Sequence, residues 1–208
     1  MMLNISSDAK RSGMILATVL VGAAAVMLPA LAQAHPGHGA HEVGFMAGIL
    51  HPLTGLDHLL ALLGVGLWSQ QQQGAARVWM PVSFAAAILG GAALAGFGVA
   101  LPGMELGIAA SVLILGLLVA SARALPLSWA VSLGAFFAVF HGYAHIAELP
   151  TTSALTSYVV GFMTMSVLAM AGGAALAGVF ERLASRDYIA RAAGVGIAAA
   201  GAFFAIAA

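Results

Sequence analysis

The sequence predicts an all-α integral membrane protein, a six-helix transmembrane bundle that follows a cleavable N-terminal signal peptide. Three observations support this fold class. Of the 208 residues, 62% are hydrophobic and only 7% are charged, whereas about a quarter of the residues in a soluble domain carry a charge. The apolar residues are gathered into segments of roughly 20, the length that crosses a bilayer of about 30 Å. The first apolar segment also has the layout of a secretory signal.

Residues 1–34 contain the parts of a signal peptide in the expected order. Lys10 and Arg11 form a basic start, an apolar stretch follows, and the small residues "AQA" supply a cleavage site. Cleavage there leaves His35 as the new N-terminus. The alternative is an uncleaved signal anchor.

Six further apolar segments are predicted to span the membrane within one domain, residues 43–208. The connections between them, among them a run of four glutamines, are short, so neighbouring spans run antiparallel and no soluble domain fits. The predicted spans cover approximately residues 43–68, 78–100, 103–120, 127–149, 155–180 and 189–207.

Small residues predict where the helices approach one another closely. The chain has 26 glycines, and small residues allow the backbones of membrane helices to come into contact. The predicted contact points in the second and fifth spans are Gly90, Gly91, Gly96, Gly172, Gly173 and Gly178.

The basic residues predict the orientation in the membrane, because cytoplasmic loops carry an excess of Lys and Arg. After the signal, every basic residue lies in or beside the connections between spans one and two, three and four, and five and six. We therefore expect these connections to be cytoplasmic, as the signal peptide also requires. Both termini of the mature chain are then periplasmic, and the membrane is the bacterial inner membrane. The residues are Arg77, Arg123, Arg182, Arg186 and Arg191.

Seven ionisable side chains fall on the predicted periplasmic side of the spans, at depths where a charge is costly. His141, His145 and Glu148 follow the spacing i, i+4 and i+7, which places them on one face of a helix. The pattern is that of a polar path leading inward from the periplasm. The full set is His51, Asp57, His58, Glu105, His141, His145 and Glu148.

The first span carries a proline within this polar set. His51 and His58 are seven residues apart and would share a helical face, but Pro52 lies between them. Proline disfavours helical backbone in the residue before it and removes a hydrogen-bond donor. The sequence therefore predicts a broken helix at His51–Pro52.

The chemistry of the polar set predicts a site for a divalent transition metal. Every Lys and Arg of the mature chain lies at a predicted cytoplasmic boundary, so no base is available to pair with the three acids. Buried carboxylates without such a partner take up a proton or bind a cation, and imidazole suits nickel, cobalt, zinc and copper. The chain has no cysteine and zero formal net charge. Thiolate ligands are therefore excluded, a nucleic-acid partner is not indicated, and no prosthetic group is expected.

The stretch "HPGHGAHE" just before the first span predicts a second, looser metal-binding segment, because His-rich tracts bind metals by composition alone. The alternative is a flexible tail. The segment, residues 35–42, contains His35, His38, His41 and Glu42.

Two motifs resemble those of a known family. "HPLTGLDH" and "FHGYAHIAE" are similar to the signature blocks of the HupE/UreJ family of nickel/cobalt permeases, and "PGMELGIAASVLILG" is similar to its glutamate-bearing third span. One departure is Ile146, where the family commonly has glycine. The resemblance covers essentially the whole mature chain. It implies ATP-independent uptake of nickel, or cobalt, for hydrogenase or urease maturation, with the seven residues named above as transport residues.

Three other functions fit parts of the pattern. Three histidines and an acid can hold zinc with one open position, so a membrane-embedded zinc-dependent hydrolase is the main alternative. Histidines on facing helices can ligate the haem of a b-type cytochrome, although the neighbouring carboxylates disfavour it. A metal sensor or accessory subunit would bind the ion without carrying it.

Overall fold

The computed structural model describes residues 44–149, 154–182 and 186–208, and all of their regular structure is α-helical. This confirms the all-α prediction. The predicted signal peptide and the His-rich segment lie outside the described residues. The seven helices are α1 (Phe45–Thr54), α2 (Leu56–Gln71), α3 (Ala76–Gly96), α4 (Met104–Ser121), α5 (Leu127–Ala147), α6 (Leu155–Arg182) and α7 (Arg186–Ala207).

Five of these helices, α3 to α7, are long and apolar enough to cross a membrane. Helix α2 has 16 residues and is therefore about 24 Å long at about 1.5 Å per residue, shorter than a typical hydrocarbon core. It meets α1 at a bend of 83°, and the bent pair passes the same test of length and composition together. The chain is a multi-pass membrane protein, and its described residues contain five such helices, or up to six spans when the bent pair counts as one.

The break in the first predicted span lies at Gly55, so the prediction of a break at His51–Pro52 is wrong. Pro52 is buried inside α1, where it removes only one helix hydrogen bond near the end of a short helix. Gly55 has an extended backbone, with φ −81° and ψ 99°, and its N–H still donates to the carbonyl of His51 at 3.0 Å. A Cβ on Gly55 would lie 3.2 Å from Asp57 Oδ1 and 3.3 Å from His58 Nδ1. The chain therefore turns at a glycine, where a side chain would crowd Asp57 and His58.

Glycines bring the helices of the bundle into backbone contact. Helix α3 packs along α5, α4 along α7, and both α1 and α2 along α6. In each pair, a Cβ added to a glycine would overlap the backbone of the partner helix, so the close approach depends on that glycine. The contacts are Gly142 with Ile88, Gly116 with Ala198, Gly48 with Tyr158, and Gly66 with Met170.

The predicted glycine contacts are confirmed at only some positions. Gly91 meets the backbone of Val139, and Gly173 meets that of Leu63. Within the described residues, nothing lies within 4 Å of a Cβ built on Gly90, Gly96 or Gly178. Gly172 makes only a looser contact, since a Cβ there would lie 3.9 Å from the side chain of Leu63.

The outer surface of the bundle is apolar. Large hydrophobic side chains such as Leu106, Phe136, Val160 and Phe203 are exposed, whereas Trp68 and Phe84 are fully buried. A soluble protein rarely exposes so much apolar surface. The surface therefore fits contact with lipid acyl chains.

Candidate metal centre

Three histidines meet where α1, α2 and α5 come together. His51 lies in the last turn of α1, His58 in the first turn of α2, and His145 in the last turn of α5. One ring nitrogen from each lies within 4.8 Å of the other two. Imidazole nitrogens that share one ion at about 2 Å are themselves about 3–3.5 Å apart. A contraction of about an ångström would therefore close this trio, His51, His58 and His145, around a metal ion.

The bend between α1 and α2 brings the first two members of the trio together. In a straight helix, residues seven apart are separated by about 10 Å along the axis. The ring centroids of His51 and His58 are only 5.8 Å apart. The two histidines therefore converge across the corner at Gly55 instead of lying two turns apart on one helical face.

Asp57 orients His58. Its Oδ1 lies 2.8 Å from His58 Nδ1 and also accepts the backbone N–H of His58 at 2.7 Å. Because an ionised carboxylate can only accept, His58 Nδ1 carries the hydrogen, and in the neutral ring Nε2 keeps a free lone pair. That Nε2 is buried and has no hydrogen-bond partner among the described residues. A carboxylate behind a histidine is the common arrangement that fixes a metal-binding imidazole.

His145 is the most deeply buried member of the trio, with 1% of its surface exposed. Its ring stacks on Phe162 of α6, with centroids 4.4 Å apart and planes inclined by 11°. Its Nδ1 is buried without a hydrogen-bond partner in the described part of the chain. Such atoms are rare in native proteins because the lost hydrogen bond costs free energy. A cation bound to this nitrogen would offset that cost.

The two glutamates lie at the same end of the bundle as the trio. Glu148 follows α5 directly and places Oε2 3.8 Å from His51 Nε2, with 49% of its side chain exposed. Glu105 lies in the first turn of α4 and is exposed. Glu105 therefore belongs to the same end of the bundle without being part of the trio.

His141 lies on the inner side of His58. Its ring is buried, and its centroid is 4.8 Å from that of His58 with the planes at 88°. Its Nε2 lies 2.7 Å from the hydroxyl of Ser111 in α4. The seven predicted residues are thus a trio, a carboxylate behind His58, two glutamates at the same end of the bundle and one deeper histidine.

The acids of this region have no basic partner other than histidine in the described residues. Asp57 pairs with His58, and Glu148 pairs with His51. No Arg or Lys within the described ranges lies within ion-pair distance of either carboxylate. The local charge is therefore suited to a cation.

Sequence reasoning missed three side chains of this region. Phe162 and Tyr158 form an aromatic wall against His145 and His51, and an aromatic residue in an apolar helix gives no signal of such a role. Ser111 is a fully buried polar residue. Its position in the segment that resembles the glutamate-bearing span was the available signal.

Comparison with known proteins identifies the family. The model of the family described as HupE / UreJ protein matches residues 23–204. The chain belongs to the HupE/UreJ family. It is 42% identical over 180 residues to Protein HupE of Rhizobium leguminosarum bv. viciae, across 86% of this chain and 92% of that protein. No solved structure shows a significant match to the chain.

Membership of the HupE/UreJ family confirms the resemblance that the motifs carried. The matched region contains all seven predicted site residues. Together with the membrane-spanning helices, it supports a role in metal transport.

Proposed function

We propose that this chain is a secondary transporter that imports divalent nickel, or cobalt, across the bacterial inner membrane without ATP hydrolysis. The observation that carries the proposal is the trio of His51, His58 and His145, whose ring nitrogens converge within 4.8 Å. Imidazole nitrogen is a ligand of choice for these metals. Family membership supports the same cargo.

The distribution of charge supports the direction of transport. The histidine trio and both glutamates lie at one end of the bundle. Arg77, Arg123 and Arg182 lie at the opposite helix ends, near the start of α3 and the ends of α4 and α6. By the positive-inside rule the arginine end is cytoplasmic, so the trio faces the periplasm and both termini of the mature chain are periplasmic.

The driving force needs no nucleotide. The sequence contains no phosphate-binding loop of the Walker type. A membrane potential that is negative inside favours entry of a divalent ion by about 4–5 kcal/mol per 100 mV. Capture of the ion by hydrogenase or urease assembly proteins in the cytoplasm would add to this drive.

The geometry suggests an order of contacts. Glu148 and Glu105 attract the hydrated ion, and the trio then replaces its water molecules. His141 receives the ion from the trio on the inner side. The periplasmic His-rich segment, His35, His38, His41 and Glu42, raises the local metal concentration before the ion reaches the glutamates.

The zinc-dependent hydrolase alternative gains no support from the family assignment. A transporter must release its ion, whereas a hydrolase retains it. Zinc that copurified in stoichiometric amount and resisted dialysis would instead favour the hydrolase over the transporter.

Removal of a trio ligand tests the proposal. We expect His58→Ala to lower the uptake of radioactive nickel by proteoliposomes at least tenfold, because the ion loses an imidazole nitrogen. Asp57→Asn keeps an acceptor oxygen but loses the charge behind His58, so uptake should also fall, by about 10–100-fold, as is typical when the partner that orients a ligand is changed.

The matched control is Leu59→Ala, which removes packing beside His58 without removing a ligand. Uptake is measured under an imposed potential, with cobalt and zinc as competitors, and normalised to folded protein. Wild-type uptake by folded His58→Ala protein would show that the trio is not the transport site.

A further inference from the structure

Ser111 is a buried polar side chain for which the proposed ion path has so far given no role. It lies in α4 with none of its surface exposed. Its hydroxyl oxygen is 2.6 Å from the carbonyl of Ile108 and 2.7 Å from His141 Nε2. Both distances are those of short hydrogen bonds.

The number of hydrogens on the hydroxyl decides the direction of both bonds. A serine hydroxyl has one hydrogen to donate, and a carbonyl oxygen can only accept. The hydrogen therefore points to Ile108, and the serine oxygen accepts from His141. Nε2 of His141 must then carry its own hydrogen, which leaves the lone pair of the neutral ring on Nδ1.

His58, the nearest histidine, has the opposite assignment. Its Nδ1 donates to Asp57 at 2.8 Å, so its lone pair is on Nε2. The two rings are 4.8 Å apart and nearly perpendicular. Two neighbouring histidines are thus held in different tautomers by two different partners, a carboxylate and a hydroxyl.

We infer that Ser111 is a positioning residue for metal passage, which holds His141 in the Nε2–H tautomer so that Nδ1 is the nitrogen offered to the ion. The inference rests on the proposed function, since it concerns how the ion is passed on from the trio. Without the serine oxygen, neither nitrogen of the buried ring is selected as the donor. A fraction of the molecules would then present an N–H, which cannot bind a cation.

The test compares Ser111→Ala with Ser111→Thr in the full-length protein. Ser111→Ala removes only the hydroxyl oxygen, whereas Ser111→Thr restores a hydroxyl. The matched control is Ser69→Ala, because Ser69 is also buried and donates to the carbonyl three residues earlier at 2.7 Å, but it contacts no histidine in the described residues. Two quantities are measured: the His141 tautomer, by nitrogen NMR of isotope-labelled histidine in metal-free protein, and nickel uptake by proteoliposomes.

We expect wild-type protein and Ser69→Ala to show His141 as the Nε2–H tautomer, and Ser111→Ala to show a mixture of tautomers. Uptake by Ser111→Ala should fall about tenfold, the lower end of the effect of removing a residue that orients a ligand, and Ser111→Thr should restore most of it. An unchanged tautomer, or full uptake by Ser111→Ala, would overturn the inference. Absence of nickel uptake by wild-type protein would contradict the proposed function, whatever tautomer the NMR shows. The positioning role in transport would then be contradicted as well.

Discussion

The two ends of the bundle differ in how their buried polar groups are paired. At the histidine end, formed by the trio and the residues around it, His58 Nε2 and His145 Nδ1 are buried without hydrogen-bond partners among the described residues. At the glutamine end, where α2 finishes, Gln72 donates to the carbonyl of Trp68 at 3.2 Å and accepts from the N–H of Leu125 at 2.9 Å. Gln71 also donates across the bundle to the carbonyl of Val119 at 3.1 Å, while Gln71 Oε1 and Trp68 Nε1 are buried there without a partner in the described residues.

This difference distinguishes polar groups that stabilise the fold from polar groups that can bind a metal ion. A net hydrogen bond contributes about 1 kcal/mol to stability, and a buried polar atom left unpaired costs about 1–3 kcal/mol. At the glutamine end, these bonds tie α2 to α4 and to the connection that follows it. The histidine end leaves two ring nitrogens without hydrogen bonds among the described residues, which costs stability and leaves them open to a metal ion.

The largest effect should come from breaking the packing behind the histidine end. Gly142 lies beside His141 in α5, and a Cβ there would overlap the carbonyl of Ile88 in α3. Gly142→Ala must push two backbones apart and is expected to cost at least about 1–3 kcal/mol, with loss of uptake. The measurement is the yield of monodisperse protein and its thermal unfolding in detergent.

The control for this change is Gly90→Ala, since a Cβ at Gly90 meets nothing within 4 Å in the described structure. It should leave yield, melting and uptake unchanged. Equal behaviour of the two variants would show that the α3–α5 contact does not position the histidines.

A smaller effect, on stability alone, should come from the glutamine end. Gln72→Leu removes both of its bonds and leaves the N–H of Leu125 unpaired, so the free energy of unfolding should fall by about 1–3 kcal/mol. Uptake per folded molecule should stay unchanged. Gln73→Leu, at an exposed position, is the control in thermal unfolding. A loss of uptake as large as that of His58→Ala would contradict the division between the ends.

The smallest effect should come from a polar group at the histidine end that is already bonded. The Thr54 hydroxyl shares its one hydrogen between the carbonyls of Leu50 and His51, each at 3.1 Å, and it lies at an exposed position outside the trio. Thr54→Ala should change nickel uptake by less than about twofold, because alanine fits a helix at least as well as threonine. Thr54→Val, which keeps the shape of the side chain, is measured in parallel. A tenfold loss in both variants would make the hydroxyl a ligand.

Much of the candidate site could be predicted because its residues are polar and lie within apolar segments of the sequence. An imidazole or carboxylate in an apolar span stands out in the sequence, and all members of the trio were among the seven residues predicted. The apolar lengths likewise predicted the helices. Both signals are local, so one sequence suffices to read them.

The rest depends on partners that are distant in the sequence. Gly90 and Gly91 look alike until α5 is in place, and only Gly91 faces it. The sequence predicts the break at His51–Pro52 instead of Gly55, because proline has the stronger local signal. Gln70 and Gln71, predicted to lie in a connection, complete α2 instead. Gln71 and the cap residue Gln72 find hydrogen-bond partners in distant segments. Pattern alone cannot supply these contacts.

The corner at Gly55 also has an electrostatic consequence for the backbone. An α-helix carries about half a positive charge at its N-terminus and half a negative charge at its C-terminus. Because the chain breaks there, α1 ends beside the trio, as α5 does, and His51 and His145 stand in their last turns. The opposite field of the α2 N-terminus is met by Asp57 in its first turn. Two negative helix ends thus face the ion site, a field that an unbroken first helix could not provide.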